Sequence, residues 1–258
     1  MKVVILAGGL GTRLAEETES RPKPMVEIGG MPIIWHIMKI YSHFGFKDFI
    51  VCCGYKGYMI KEFFINYSYH ASDLCVNLIN NSVEIFDLKS EPWEIKLIDT
   101  GLDTQTGGRL KRLSHLLENE ESFCMTYGDG LADINIKSLV DSHQKGGRLA
   151  TVTAVRPPAR FGALEFSGDG RVQSFEEKPD GDGGWINGGF FVMSPDCLDI
   201  ISDDKTQWEG DPLRELCKRG ELGVYQHNGF WRPMDTLRDK ISLSQLWDSG
   251  LAPWKIWQ

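Results

Sequence analysis

The sequence predicts an α/β fold, in which a doubly wound, mainly parallel sheet carries helices on both faces. Three observations predict it. Apolar runs of strand length alternate with stretches whose apolar residues return every three to four positions, the pattern of strands joined by crossover helices. Val3 to Ala7 and Phe49 to Cys53 are apolar throughout, as strands covered on both faces are. Beyond about Arg156 segments shorten around the turns Ser167-Gly-Asp-Gly170 and Asp180-Gly-Asp-Gly-Gly184, so a small antiparallel β addition is expected in the second half of a Rossmann-like sheet.

Val3 to Ala7 is the first buried strand. From Ile33 the apolar residues fall at 33, 34, 37, 38, 41 and 44, a helical face, and Gly45 supplies the stop. Phe49 to Cys53 is a second strand, followed by a helix from Gly57 to about Tyr67. Ile95 to Ile98 and Phe123 to Tyr127 are further strands, with a helix from Gly108 to Leu117 between them. A helix over Ile136 to Gln144 leads to a strand over Leu149 to Val155. In the second half, Ala163 to Phe166, Val172 to Phe175 and Ile186 to Met193 form the antiparallel addition, and helices return near Asp211 to Arg219 and Thr236 to Trp247. Tyr69 to Pro92 is poorly patterned and reads as an insertion or a subunit contact.

Hydrophobic residues make up 41% and charged residues 25%, which excludes a disordered chain. The net charge of −8 disfavours nucleic acid and anionic membrane as partners. The basic residues that do cluster lie in short glycine- or proline-containing loops, Gly11 to Lys23 and Gly107 to Arg112, and suit pockets for a phosphorylated metabolite. Six cysteines form no C-x-x-C pair, and Cys52, Cys53 and Cys124 lie in apolar runs, so a reducing, cytoplasmic setting without disulfides is expected. No run approaches the ~18 apolar residues of a membrane span.

The most informative segment is Leu6-Ala-Gly-Gly-Leu-Gly-Thr-Arg-Leu14, directly after the first strand. Ligands of open α/β sheets bind beyond the carboxyl ends of strands. The glycines let backbone N–H groups approach an anion, and Arg13 adds a cationic fork suited to phosphate. Leu14 stands where a dinucleotide fingerprint needs its third glycine, and no Gly-Lys-Ser or Gly-Lys-Thr occurs, so hydride transfer and simple nucleotide hydrolysis lose ground. In Arg21-Pro-Lys-Pro-Met25 two prolines stiffen the chain and hold Lys23 extended, as a point charge for phosphates. Tyr127-Gly-Asp-Gly130 ends a strand at the same sheet edge, so Asp129 suits Mg²⁺, which takes one or two carboxylates together with substrate phosphates. Asp235 precedes a helix and is either its N-cap or a second metal carboxylate, and spacing alone favours the cap. Glu176-Glu-Lys-Pro179 and Ile186-Asn-Gly-Gly-Phe190 carry groups suited to a hydroxyl-rich sugar phosphate, although exposed loop polarity is the default for an isolated Glu-Lys pair. The histidines show no zinc spacing. His36 reads as a packed core residue, and Trp247, Trp254 and Trp257 as packing or oligomer contacts.

Together these segments resemble the sugar-phosphate nucleotidyltransferases. The shared motifs are Leu6 to Leu14, Arg21 to Met25, the Asp129 strand end, Glu177-Lys-Pro179 and Asn187-Gly-Gly189. Thr106-Gly-Gly-Arg-Leu-Lys-Arg112 and Met234-Asp-Thr-Leu-Arg-Asp239 are particular to the cytidylyl-transferring branch. Nearly the whole chain is covered. The resemblance implies one nucleotidyltransferase domain over residues 1–258, with residues 1–155 mainly binding nucleotide and 156–258 mainly binding sugar. It implies a nucleotide site of Leu6, Ala7, Gly8, Gly9, Gly11, Thr12, Arg13, Lys23, Thr104, Thr106, Arg109 and Gly128. Gly162, Glu177, Lys178, Asn187 and Gly188 would bind the sugar phosphate. Asp129 and Asp235 would hold Mg²⁺, with Arg13, Lys23 and Asp129 carrying catalysis. The substrates so implied are CTP and glucose 1-phosphate, the assembly a homohexamer, and the product CDP-glucose, a precursor of the deoxysugars of bacterial lipopolysaccharide O-antigen. Physics alone leaves UTP, dTTP or another sugar 1-phosphate open, because a few loop contacts decide the base. A non-catalytic sugar-nucleotide sensor would be expected to lose Arg13, Lys23 or Asp129, and all three are present. The sequence departs from the family pattern at Met31, usually lysine, and at Arg232, often glutamine.

Overall fold

The computed structural model describes residues 1–157, 163–166, 172–176 and 184–257, with 163–166 and 172–176 described as backbone. Among them, seven strands form one sheet: β1 (Val3–Leu6), β2 (Asp48–Cys53), β3 (Glu94–Asp99), β4 (Phe123–Tyr127), β5 (Ala150–Val155), β6 (Ile186–Met193) and β7 (Leu222–His227). The order across the sheet is β7-β5-β6-β4-β1-β2-β3. β1 runs parallel to both β2 and β4, β2 to β3, and β5 to β7. Only β6 is antiparallel to its neighbours, β5 and β4.

The expected alternation of helices is present: α1 (Ile33–His43), α2 (Gly57–Ile65), α3 (Thr106–Lys111), α4 (Ile136–Gly146), α5 (Asp211–Arg219) and α6 (Leu237–Asp248). Side chains alternate faces along a strand, so β1 feeds two cores. Val3 and Ile5 pack with Ile37 of α1, Leu139 of α4 and Leu243 of α6. Val4 and Leu6 pack with Leu110 of α3, Leu216 of α5 and the buried Trp208. This double burial is why the strand reads as an unbroken apolar run.

Several elements differ from expectation. Ile186–Met193 belongs to the middle of the main sheet, where Phe190 and Val192 enter one core and Phe191 and Met193 the other. The separate antiparallel pair is Ala163–Phe166 with Val172–Glu176. β7 was not anticipated: it is an edge strand, partly exposed and interrupted by Gly223, so its apolar signal is weak. The helix expected over 108–117 is broken into α3 and a turn at Ser114–Leu117, and the helix from Gly57 stops at Ile65 before Asn66. The poorly patterned stretch contains an exposed hairpin of Asp73–Asn77 with Ser82–Phe86. Buried on neither face, it has no burial pattern to read.

His36 packs as expected. Its Nε2 lies 2.9 Å from the carbonyl oxygen of Ile28, and the indole N–H of Trp254 faces its Nδ1 at 3.4 Å. The rings of Trp35, Trp247, Trp254 and Trp257 surround it. Burial among these rings pushes the imidazole down to about 4, so it is neutral at pH 7. The six cysteines are free thiols, four of them buried. No helix among the described residues is long and apolar enough to cross a membrane.

Candidate active site

The chain runs from β1 outward to β2 and β3, then returns to place β4 on the other side of β1. The crevice at this reversal, beyond the carboxyl ends of β1 and β4, is where open α/β sheets bind ligands. A cavity of about 630 Å³ occupies it, within the size range of small-molecule sites. It is lined by Leu6, Ala7, Gly8, Gly9, Gly11, Thr12, Lys23, Thr104, Thr106, Arg109, Gly128, Asp129 and Asp235, residues scattered over more than two hundred positions of sequence.

The glycine turn leaves β1 with Gly11 at φ +67°, a left-handed conformation that favours glycine. Gly8 answers a different demand. A Cβ there would sit 2.1 Å from the Arg109 guanidinium. Arg109, on α3, lies under the turn and is almost fully buried. Its guanidinium donates to the carbonyl oxygens of Gly8 (3.0 Å), Cys53 (3.2 Å), Gly101 (2.8 Å) and Leu102 (3.3 Å) and to the Thr100 hydroxyl (2.7 Å). One side chain thus ties together the loops that leave β1, β2 and β3. A basic residue in a glycine-rich loop suggests a phosphate ligand, and Arg109 does line the cavity, but its hydrogen-bond donors are spent largely on the scaffold.

Lys23 is not extended. Lys23–Met25 forms a 3₁₀ turn, closed by hydrogen bonds from Met25 N to Pro22 O (2.8 Å) and from Val26 N to Lys23 O (3.1 Å). Pro22 is extended and Pro24 sits at the start of the turn, where proline fits. The Lys23 ammonium donates to Asp129 Oδ2 at 2.7 Å and to Asp235 Oδ1 at 2.6 Å. Burial alone would lower this ammonium, but the Asp129 and Asp235 carboxylates outweigh it and hold it above the ordinary lysine value.

The two carboxylates meet because the backbone brings them together. Gly130–Ala132, which follows Asp129, pairs antiparallel with Trp231–Pro233, and Met234 N donates to Asp129 O at 2.8 Å. The cap of α6 is Thr236, whose hydroxyl accepts from Asp239 N while the Asp239 carboxylate accepts from Thr236 N. The N-cap reading of Asp235 is therefore corrected: its neighbour caps the helix, and its own carboxylate reaches the cavity.

Because β6 runs against β4, its beginning rather than its end lies at this edge of the sheet. Asn187 and Gly188 are there but do not line the cavity. Gly188 O accepts from the Trp231 indole at 2.7 Å, and Gly189 packs against the Tyr127 ring. Gly162, Glu177, Lys178 and the Arg13 side chain lie outside the described residues. Of the two departures, Arg232 donates to Ser242 on α6 and lies over the Phe230 ring, and neither it nor Met31 lines the cavity.

One residue escaped sequence reasoning. Glu209 Oε2 accepts from the Thr106 hydroxyl at 2.6 Å, and its Oε1 accepts from the Tyr127 hydroxyl. Burial, reinforced by this carboxylate, holds the Tyr127 phenol well above its usual value. Glu209 thus joins the start of α3 to the end of β4. The only signal in the sequence was its neighbour Trp208, a large apolar residue that anchors an otherwise polar loop in the core.

A cleft at the switch point, a glycine turn and converging carboxylates define a nucleotide-handling transferase, and the chain belongs to the nucleotidyl transferase family, whose model matches residues 2–245. It is 57% identical over 258 residues to glucose-1-phosphate cytidylyltransferase of Salmonella typhi, covering 100% of both chains. It is 44% identical, again over 100% of both, to probable glucose-1-phosphate cytidylyltransferase of Bacillus subtilis. The fold is shared with the crystal structure of HddC from Yersinia pseudotuberculosis, at a TM-score of 0.69 and 24% identity over 95% of this chain and 99% of that one.

Proposed function

We propose that this protein transfers the cytidylyl group of CTP to glucose 1-phosphate, giving CDP-glucose and pyrophosphate. The observation that carries the proposal is the convergence of the glycine turn, Lys23, Asp129 and Asp235 on one cavity, in a chain alike over its whole length to proteins bearing that activity.

A phosphate oxygen of glucose 1-phosphate attacks the α-phosphorus of CTP. The new P–O bond forms as the bond to pyrophosphate breaks. The attacking oxygen is already anionic at neutral pH, so no general base is needed, and no covalent enzyme intermediate forms. What the protein must do is bring two polyanions together and offset the charge that builds on the leaving group. Backbone N–H groups of the turn from Gly8 to Thr12 face the triphosphate, with Arg13 and Lys23 adding positive charge. Arg109 holds the turn from beneath. By the family resemblance Lys178 would hold the attacking phosphate, and Gly162, Glu177, Asn187 and Gly188 would bind the sugar.

Asp129 and Asp235 would hold Mg²⁺. The residues fit: carboxylate oxygens from two separate segments already meet on a single positive centre, the Lys23 ammonium. Bound there, Mg²⁺ supplies neutralisation of the phosphate oxygens. A homohexamer belongs to the same reading. The hairpin of Asp73–Phe86 exposes Val76, Ile79 and Val83, apolar surface that an assembly would cover.

The test is pyrophosphate release from glucose 1-phosphate and Mg²⁺ with CTP, UTP, dTTP, ATP and GTP in turn. CTP is expected to be the preferred substrate. Equal or faster release with another nucleotide would refute the base assignment, and binding without release would refute catalysis.

A further inference from the structure

We propose that Lys23 is a built-in counter-ion that keeps divalent metal off Asp129 and Asp235 until a nucleotide draws its ammonium away, so that metal and nucleotide enter together. The proposal rests on the reading of these two aspartates as the metal ligands. Three observations support it. First, the ammonium lies 2.7 Å from Asp129 Oδ2 and 2.6 Å from Asp235 Oδ1, so it occupies the place between the carboxylates that a metal ion would need. Second, the two aspartates do not depend on the lysine to be neighbours. The bond from Met234 N to Asp129 O and the pairing of Gly130–Ala132 with Trp231–Pro233 hold their backbones side by side. The two segments stay adjacent when the amine leaves.

Third, the lysine can move only at its side chain. Its backbone is locked in the 3₁₀ turn between Pro22 and Pro24. The Lys23 side chain is 12% exposed, whereas those of Asp129 and Asp235 are 31% and 23% exposed, so the ammonium is the more enclosed partner. An ion arriving alone would have to strip it of two charge-assisted hydrogen bonds and leave a mostly buried positive charge without a partner. A triphosphate in the same cavity removes that obstacle, because its oxygens replace the carboxylates as acceptors. Lys23 then serves in two places in turn: on the carboxylates before substrate arrives, and on the phosphates afterwards.

The experiment is Mn²⁺ binding followed by electron paramagnetic resonance, on nucleotide-free protein and with CTP present. Without nucleotide, Lys23→Met is expected to bind Mn²⁺ about tenfold or more tightly than the wild type, because its competitor is gone. Lys23→Arg, which keeps the charge, should bind as weakly as the wild type. With CTP the order reverses, and Lys23→Met forms the weaker ternary complex. Lys23→Gln serves equally should the methionine variant not fold. If folded Lys23→Met or Lys23→Gln binds Mn²⁺ no more tightly than the wild type, the counter-ion role is wrong. Should Asp129→Asn still lower Mn²⁺ uptake with CTP in that case, the metal assignment stands alone. If Asp129→Asn leaves uptake unchanged in every sample, metal assignment and counter-ion role fall together.

Discussion

Two ionisable groups of this protein, one half-buried and one fully buried, have opposite surroundings and opposite meanings. Lys23 lies at the carboxyl edge of the sheet between two carboxylates and stays charged. His36 lies on α1, ringed by tryptophans, and stays neutral, its Nε2 placed to donate to Ile28 O. What separates them is company and address: opposite charge at a ligand-binding edge indicates chemistry, and apolar rings around a satisfied imidazole indicate packing. Substitutions at the two places should therefore move different observables.

The largest effect is expected at the charged site. Asp129→Asn should lower kcat by about a hundredfold or more while the melting temperature stays near that of the wild type. Turnover within a fewfold of normal would remove the distinction. At the neutral site the pattern inverts. His36→Ala empties space among the indoles and leaves Ile28 O and the Trp254 N–H without partners, so a loss of about 3 kcal/mol in unfolding free energy is expected with kcat nearly unchanged. Denaturant titration and steady-state kinetics on the same preparation would decide.

The neutrality of His36 also has a pH signature. The unfolded chain takes up this proton near pH 6.5 and the folded chain only near 4. Between those values the unfolded state binds more protons, so stability is complete above about pH 6.5 and falls as pH drops toward 4, by up to about 1.4 kcal/mol per unit. His36→Gln, which keeps a donor for Ile28 O, should flatten this part of the stability profile. An unchanged profile would mean that the ring is not held neutral. The smallest effect concerns Glu209. Glu209→Ala releases the Thr106 and Tyr127 hydroxyls at the cavity wall and should raise KM for CTP about tenfold, with a lesser change in kcat.

These two regions also show what the sequence could reveal. The glycine turn, Lys23 and Asp129 were legible because each is a short motif attached to one strand end, so local reading suffices. His36 was legible from the helical face of α1. Asp235 was legible only through the family resemblance: spacing alone made it a cap that Thr236 turns out to provide, and it is the pairing of 130–132 with 231–233 that brings it to Asp129. Glu209 is an ordinary loop carboxylate until the fold sets it against Thr106 and Tyr127. Arg109 was found as a residue, but its ties to four carbonyls became visible only once three loops were assembled around it. β6 was found as a strand, yet its place in the middle of the sheet is a fact of topology that its own residues do not encode.

Whether Asp129 and Asp235 act on a single cation can be read from a double-mutant cycle in kcat/KM for CTP and glucose 1-phosphate, comparing Asp129→Asn, Asp235→Asn and the pair together. Groups that hold one ion lose it once, so the double variant is expected to be little slower than the worse single variant. Two losses that multiply, or an Asp235→Asn enzyme with wild-type turnover, would show that the carboxylates do not share one positive charge.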